Sequence, residues 1–344
     1  DFSHISWYPF QLAFILHELI SFIKPKNEER KNVDLLWFTT GGGKTEAYLG
    51  IAAFDIFLRR LRTPRNNGVI VMMRYTLRLL TLQQFERAAM MIIACEHIRL
   101  TTGIIGGAPI SIGLWVGDKL TPNKLETADQ ALKKIKRNSS ADHNPMQLKY
   151  CPWCGRQLTV DDYSVDTKTK KMYIRCSNPE CETHKWKEGL PVYLIDESIY
   201  QYQPSFLVAT VDKFAQLPLK SETFNIFGTR QHSDDIAEKI FEKTPPDLII
   251  QDELHLISGP LGTITGDYEV IVDKFCEHHG IPVKIIASTA TIKNADNQIK
   301  SLYGRPYTQF PPQGISCDDS FFAVTSDAES RPAREYMGVM GVGT

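Results

Sequence analysis

Three glycines, Gly41, Gly42 and Gly43, precede Lys44 and Thr45 in the run Thr39-Thr40-Gly41-Gly42-Gly43-Lys44-Thr45, directly behind the apolar residues 33–38. Glycines in such a turn let successive backbone N–H groups point inward around an anion, and a helix opening at Glu46 adds the positive end of its dipole. The chemistry this suits is phosphate binding. Lys44 reaches the β- and γ-phosphates of a nucleoside triphosphate, the Thr45 hydroxyl ligates Mg²⁺, and Thr40, Gly41, Gly42 and Gly43 form the cradle. The full eight-residue pattern has glycine where this chain has Phe38. A second segment, Asp252-Glu253-Leu254-His255, follows the apolar residues 248–251. From that position Asp252 can hold Mg²⁺ directly or through water, and Glu253 can orient and deprotonate an attacking water. An acidic pair at a strand end is commonly just a solvated turn. Paired with Lys44, it makes a hydrolytic site of Lys44, Asp252 and Glu253.

A third group of residues offers different chemistry. Cys151-Pro152-Trp153-Cys154-Gly155 and Cys176-Ser177-Asn178-Pro179-Glu180-Cys181 are a C-x₂-C and a C-x₄-C knuckle on either side of a polar spacer. Two such knuckles aim four thiolates at one tetrahedral Zn²⁺ in a ribbon. With all four positions filled by protein, the ion is structural rather than catalytic. Iron–sulfur ligation, or His184 in place of Cys181, are the alternatives. The chain has seven cysteines and no signal-peptide start, which speaks against a disulfide framework. Lys168, Lys170, Lys171, Arg175 and Lys185 near the knuckles form either a nucleic-acid or partner surface or a solvated face.

Both phosphate-directed segments need strands that end at one edge of a sheet. Apolar, β-rich runs at 33–38, 69–73, 110–116, 206–209, 248–251 and 283–287 are near-continuous rather than alternating, the pattern of parallel strands covered on both faces. Helical stretches at 46–60 and 79–97 fall between them. This rhythm predicts an open α/β sheet, which binds ligands at the carboxyl ends of its strands. It breaks between about 118 and 204, where the residues are polar, Lys-rich and Cys-bearing. That stretch reads as an inserted module with a hairpin strand at 172–175, and 133–144 and 228–235 read as mobile loops.

Composition narrows the class without naming a partner. With 344 residues, 42% hydrophobic and 23% charged, the chain is an ordinary globular one. Its net charge of -1 gives no global pull toward nucleic acid, so any such binding must come from a local patch. No apolar run approaches the roughly 20 residues needed to span a bilayer, so no membrane partner and a cytoplasmic location are expected. A start at Asp1 and an end at Gly341-Val342-Gly343-Thr344 suggest a piece of a longer protein.

With Lys44 and the Asp252-Glu253-Leu254-His255 box in place, the chain resembles the superfamily 2 helicases over almost its whole length. Gln11, in Tyr8-Pro9-Phe10-Gln11, is similar to the upstream glutamine that reads adenine. Ser288 and Thr289, in Ser288-Thr289-Ala290-Thr291, resemble the motif that couples hydrolysis to strand movement, with His255 either relaying the nucleotide state to Thr289 or simply packing. Arg74-Tyr75-Thr76-Leu77-Arg78, followed by Gln83-Gln84, and Ala209-Thr210-Val211-Asp212 are similar to two DNA-contacting motifs. Arg74, Arg78 and Thr210 are therefore expected on backbone phosphates and Tyr75 on a base. Arginines paired to carboxylates and a helix-capping threonine are the structural alternatives.

Closer wording in 40–49, 73–80 and 255–262 is similar to the helicase-like subunits of the DISARM anti-phage systems. The resemblance implies a RecA-like P-loop NTPase with an open parallel sheet and an inserted zinc-ribbon module, using ATP, Mg²⁺ and a structural Zn²⁺. Its ATP-binding domain would comprise 1–118 and 205–330, the zinc-bearing insertion 119–204, and 331–344 the start of a following domain. The implied activity is a DNA-stimulated helicase or translocase ATPase. The implied partners are DNA, a second RecA-like domain carrying arginine fingers, and other subunits of a defence complex. A DNA-repair helicase of the same superfamily, or a nucleotide-switched loading scaffold that does not unwind, are the alternatives. Since these residues form one wall of a cleft, they are expected to bind nucleotide strongly and hydrolyse it feebly by themselves.

Overall fold

Along residues 33–36 the side chains alternate between two apolar sides: Val33 and Leu35 enter one buried cluster and Leu36 another. The same alternation recurs at 71–73, 206–209, 248–250 and 285–287, and all these positions are buried. A strand apolar on both sides must be covered on both sides, so these runs become interior strands between helical layers.

The computed structural model describes residues 6–38, 41–63, 67–76, 78–230, 240–241, 243–289, 295–312, 314, 319–324 and 337–338. In order, the chain forms α1 (Pro9–Ile23), β1 (Val33–Trp37), α2 (Lys44–Arg62), β2 (Val71–Tyr75), α3 (Arg78–Thr102), β3 (Ile112–Trp115), α4 (Leu125–Lys136), β4 (Tyr163–Asp166), β5 (Lys171–Ile174), β6 (Val192–Tyr193), α5 (Asp196–Tyr202), β7 (Phe206–Thr210), β8 (Thr229–Arg230), β9 (Ile240–Phe241), β10 (Leu248–Gln251), α6 (Gly259–Cys276), β11 (Lys284–Thr289), α7 (Ala295–Tyr303) and β12 (Tyr307–Phe310). Eight strands make one sheet in the order β12-β1-β11-β10-β2-β7-β3-β6. Every pairing in it is parallel. Helices α1, α2 and α3 cover one face, and α5, α6 and α7 the other. This is the RecA-like open parallel sheet expected, with β11 lying between the glycine-loop strand β1 and the acidic strand β10. Among the described residues no helix is long and apolar enough to cross a membrane.

The segment 119–204 is more closely joined to the sheet than an appended module would be. β4 and β5 form the antiparallel hairpin expected around 172–175. β6, however, pairs with β3 at Ile112↔Val192, so the end of the segment is an edge strand of the main sheet. Leu148, Leu158, Met172 and Cys151 also share the apolar cluster of α2 and α3. The stretch 133–144, expected as a mobile loop, begins inside α4. Leu125, Ala128 and Leu132 lie on one face of that helix and are buried, which outweighs its polar content.

Other elements left weak traces in the sequence. Helix α6 carries glycines at 259, 262 and 266, residues that normally speak against a helix. Its legible signal is Ser258 at the N-cap followed by Pro260 in the first turn. β6 is two residues long and β12 is a half-polar edge strand, so neither carries a hydrophobic period. Of the expected loop at 228–235, residues 231–235 lie outside the described residues, as does nearly all of 331–344.

Candidate functional site

Because the strands are parallel, the carboxyl ends of β1, β11, β10, β2 and β7 fall in that order along one edge of the sheet. The glycine loop leaves β1 and turns into α2. Gly41 and Gly43 hold φ of 79° and 88°, the left-handed region that glycine enters without cost. Gly43 is the N-cap of α2, and a Cβ there would meet Gln11 Nε2 at 2.6 Å. Lys44 Nζ donates to the Phe38 carbonyl at 2.6 Å, folded over its own loop. Burial pushes the Lys44 ammonium down from its ordinary value, and the charges of Asp252 and Glu253 partly offset this. Thr40 lies outside the described residues.

Phe38, the departure from the glycine pattern, has a structural role. Its ring stacks on Phe10 of α1 with centroids 4.0 Å apart, which brings α1 against the loop. Gln11, on the same helix, then donates from Nε2 to the Gly43 carbonyl at 2.8 Å and accepts from the Tyr8 N–H through Oε1 at 2.8 Å. The residue expected to read a base is thus fastened directly to the phosphate loop.

Across the cleft, Asp252 and Glu253 leave the end of β10. Glu253 has φ of 51°, a strained conformation for a non-glycine residue, and its N–H donates to Asp252 Oδ1 at 3.0 Å. Burial, then the charge of Asp252, raises the Glu253 carboxyl above the usual range. His255 Nδ1 stands 3.3 Å from Glu253 Oε2 and 3.2 Å from Thr289 Oγ1. It therefore links the acidic pair to the end of β11, as the relay alternative requires. Ser288 is fully buried beside it, and its Oγ has no hydrogen-bond partner among the described residues. Ala290 and Thr291 lie outside the described residues.

These groups line one open cleft of about 640 Å³, bounded by Gln11, Gly41, Gly43, Lys44, Thr45, Asp252 and Glu253. Sequence reasoning missed several of its walls. Trp7 and Tyr8 are 47% and 61% exposed at its entrance, where a planar base could stack. Gln84 and Arg87 enter from α3, Arg87 paired with Glu46. Exposed aromatics just before a glutamine were the available signal. The cleft's residues fit a nucleoside triphosphate with Mg²⁺: a glycine cradle at a helix start, a lysine, a hydroxyl and two carboxylates converge there.

Three of the residues expected to meet DNA are buried. The Arg74 side chain is 1% exposed, ion-paired with Glu269 of α6 and set over the Phe214 ring at 5.6 Å. Thr210 is fully buried, and its Oγ1 has no hydrogen-bond partner among the described residues. Tyr75, expected to stack on a base, is 1% exposed. Arg74 is covered by α6 and by Phe214 after β7, whereas Tyr75, the register partner of Thr210, lies in the apolar cluster on the α1, α2 and α3 side. Arg78 begins α3, and the placement of its side chain is outside the description.

The cysteine knuckles converge as their spacing predicted. The four Sγ atoms of Cys151, Cys154, Cys176 and Cys181 lie within 4.8 Å of one another. Cys151 Sγ is 3.8 Å from Cys181 Sγ, and Cys154 Sγ is 3.7 Å from Cys176 Sγ. A tetrahedron with Zn–S bonds of about 2.3 Å has S–S edges of about 3.8 Å, so the set is the size of a single-ion cage. A cluster with several irons would hold its thiolates farther apart, each on its own iron. Thr183 Oγ1 lies 3.1 Å from Cys181 Sγ, able to donate to a thiolate. His184 Nδ1 meets the Cys176 carbonyl at 2.8 Å, and it is Cys181, not His184, that completes the converging set. Trp153 of the first knuckle packs on His97 of α3, centroids 4.6 Å apart, docking the metal module onto the core. Elemental analysis is expected to return about one Zn²⁺ per chain, and chelation to open 150–186 to proteolysis. A metal-free chain that resists protease as well as the native one contradicts this.

No protein-family profile matches the chain. Among solved structures it is similar to the DUF1998 helicase MrfA bound to DNA and AMPPNP, at 13% identity and a TM-score of 0.45, over 89% of this chain and 27% of that one. It is also similar to the Mycobacterium smegmatis helicase Lhr bound to ssDNA and AMP-PNP, at 16% identity and a TM-score of 0.48, over 89% of this chain and 26% of that one. In sequence, the DISARM protein DrmA of Bacillus paralicheniformis (strain ATCC 9945a / NCIMB 11709 / CD-2) is 42% identical over an alignment 378 positions long. The match covers 98% of this chain and 33% of that protein, so the chain spans about a third of its relative's length. Along nearly its whole length, then, this chain is similar to one part of the DISARM protein DrmA.

Proposed function

We propose that the chain is the first RecA-like, ATP-binding part of an ATP-dependent DNA helicase or translocase that serves in anti-phage defence. The observation that supports this most is the convergence of Gln11, Lys44, Thr45, Asp252 and Glu253 on one cleft. Its similarity to DrmA supplies the biological setting. In this reading Lys44 and the loop amides hold the triphosphate, Gln11 meets the base, and Thr45 and Asp252 hold Mg²⁺. Bound Mg²⁺ supplies charge neutralisation at the β- and γ-phosphates. Glu253 takes the proton of the attacking water, and His255 carries the state of that carboxylate to Thr289. Residues 1–118 and 205–330, joined by β6 and α5 from the end of 119–204, make up the ATPase part, and the rest of 119–204 the zinc-bearing insertion. DNA, a second RecA-like domain and other defence subunits are the partners.

Burial of Arg74 and Thr210 moves the search for DNA contacts to residues that reach solvent, such as Lys168 and Lys185. ATP turnover, strand displacement and translocation, measured on the full-length protein with and without DNA, test the reading. DNA-stimulated turnover with movement supports a motor. Turnover with neither displacement nor translocation assigns the loading scaffold instead.

A further inference from the structure

Between Thr45 and Asp252 stands a side chain that belongs to neither motif. Tyr48 follows Thr45 by one turn of α2 and is fully buried. Its hydroxyl is 3.0 Å from Thr45 Oγ1 and 2.9 Å from Asp252 Oδ2. A tyrosine hydroxyl has one proton and two lone pairs, and a carboxylate only accepts. The single Tyr48 proton therefore goes to Asp252. The contact with Thr45 is then completed by the Thr45 proton, donated to the Tyr48 oxygen.

That ordering matters for a cation. A hydroxyl that ligates Mg²⁺ offers a lone pair, and its proton must find an acceptor elsewhere. We infer that Tyr48 is a positioning residue for the cation site: it takes the Thr45 proton and gives its own to Asp252, so that Thr45 turns a lone pair, and Asp252 its remaining acceptor positions, into the cleft. The chain Thr45, Tyr48, Asp252 thus ties the phosphate loop to the acidic strand. The inference rests on reading the cleft as an ATP–Mg²⁺ site. The wider surroundings fit. Tyr75, at the end of β2, lies against Tyr48 and Asp252, and the Asp252 N–H donates to the Arg74 carbonyl at 3.3 Å, so the carboxylate is held on the β2 side as well.

The test is equilibrium binding of a non-hydrolysable ATP analogue to the full-length protein, in Mg²⁺ and in EDTA. The Mg²⁺ enhancement is the ratio of the two affinities. In Tyr48→Phe the enhancement is expected to fall about tenfold, the loss of one hydrogen bond to a charged group, while affinity in EDTA stays unchanged. The ring remains in place, so the fold is expected to survive the loss of one oxygen. In a Thr45→Ala background, Tyr48→Phe is expected to cost less than it does alone, because only its contact with Asp252 is then left to lose. An unchanged enhancement in Tyr48→Phe, an equal loss in both arms, or additive losses in the double variant each overturn the role of Tyr48 alone. An unchanged enhancement in Thr45→Ala overturns the Mg²⁺ reading of the cleft, and this inference with it.

Discussion

Replacing Glu253 with Gln in the full-length protein is expected to slow ATP turnover by about 10²–10⁴-fold, the usual worth of a positioned general base, with ATP still bound. The glutamine keeps the shape of the side chain and loses its ability to take a proton. Geometry argues for this residue over its neighbour. Asp252 is spoken for by Tyr48 and by the Glu253 N–H, whereas the Glu253 carboxylate lies on the cleft wall within reach of His255. Burial and the adjacent Asp252 charge raise its carboxyl, which makes the ionised form a better proton acceptor. A base works only when deprotonated, so the acidic limb of the pH–rate profile should lie above the ordinary glutamate range and vanish in Glu253→Gln. Phosphate release measured across pH checks both statements. Near-normal turnover in the variant places the base elsewhere.

Arg74→Ala is expected to cost about 3–5 kcal/mol of stability, the usual price of breaking a buried ion pair from one side. Glu269 would be left as an unpaired carboxylate 4% exposed beneath α6, and the Phe214 ring would lose its cation. Substituting both partners with apolar residues, as in Arg74→Met with Glu269→Leu, should recover most of the loss. Denaturant unfolding of the single and double variants measures this. The expectation separates two roles that the sequence left open. A phosphate-contacting arginine at the surface would leave stability nearly unchanged and reduce the salt dependence of DNA binding by about one ion.

That contrast shows where the sequence was legible. The glycine loop, the acidic pair and the cysteine knuckles announce themselves because phosphate and metal chemistry demand fixed residue types at fixed spacing. The interior strands were legible because burial on both faces demands unbroken apolar runs. What a side chain at the end of such a strand points toward is a different matter, since it depends on which helix later covers the edge. Arg74 sits where a DNA-contacting motif was expected, and α6 closes over its side chain from almost 200 residues further along the chain. Helix α6 was itself obscured by its glycines. Tyr48 escaped notice for a related reason. As one apolar-looking position on α2 it reads as core, and only the approach of β10 turns its hydroxyl into a link between the two motifs.

The central claim is that the cleft beside Lys44 binds ATP with Mg²⁺. The most direct measurement is calorimetric titration of the full-length protein and its Lys44→Ala variant with a non-hydrolysable ATP analogue in Mg²⁺. One saturable site in the native protein, weakened at least about tenfold in Lys44→Ala through loss of a charge-assisted contact, is the predicted result. Equal affinity in the two proteins, or no binding to the native one, contradicts it.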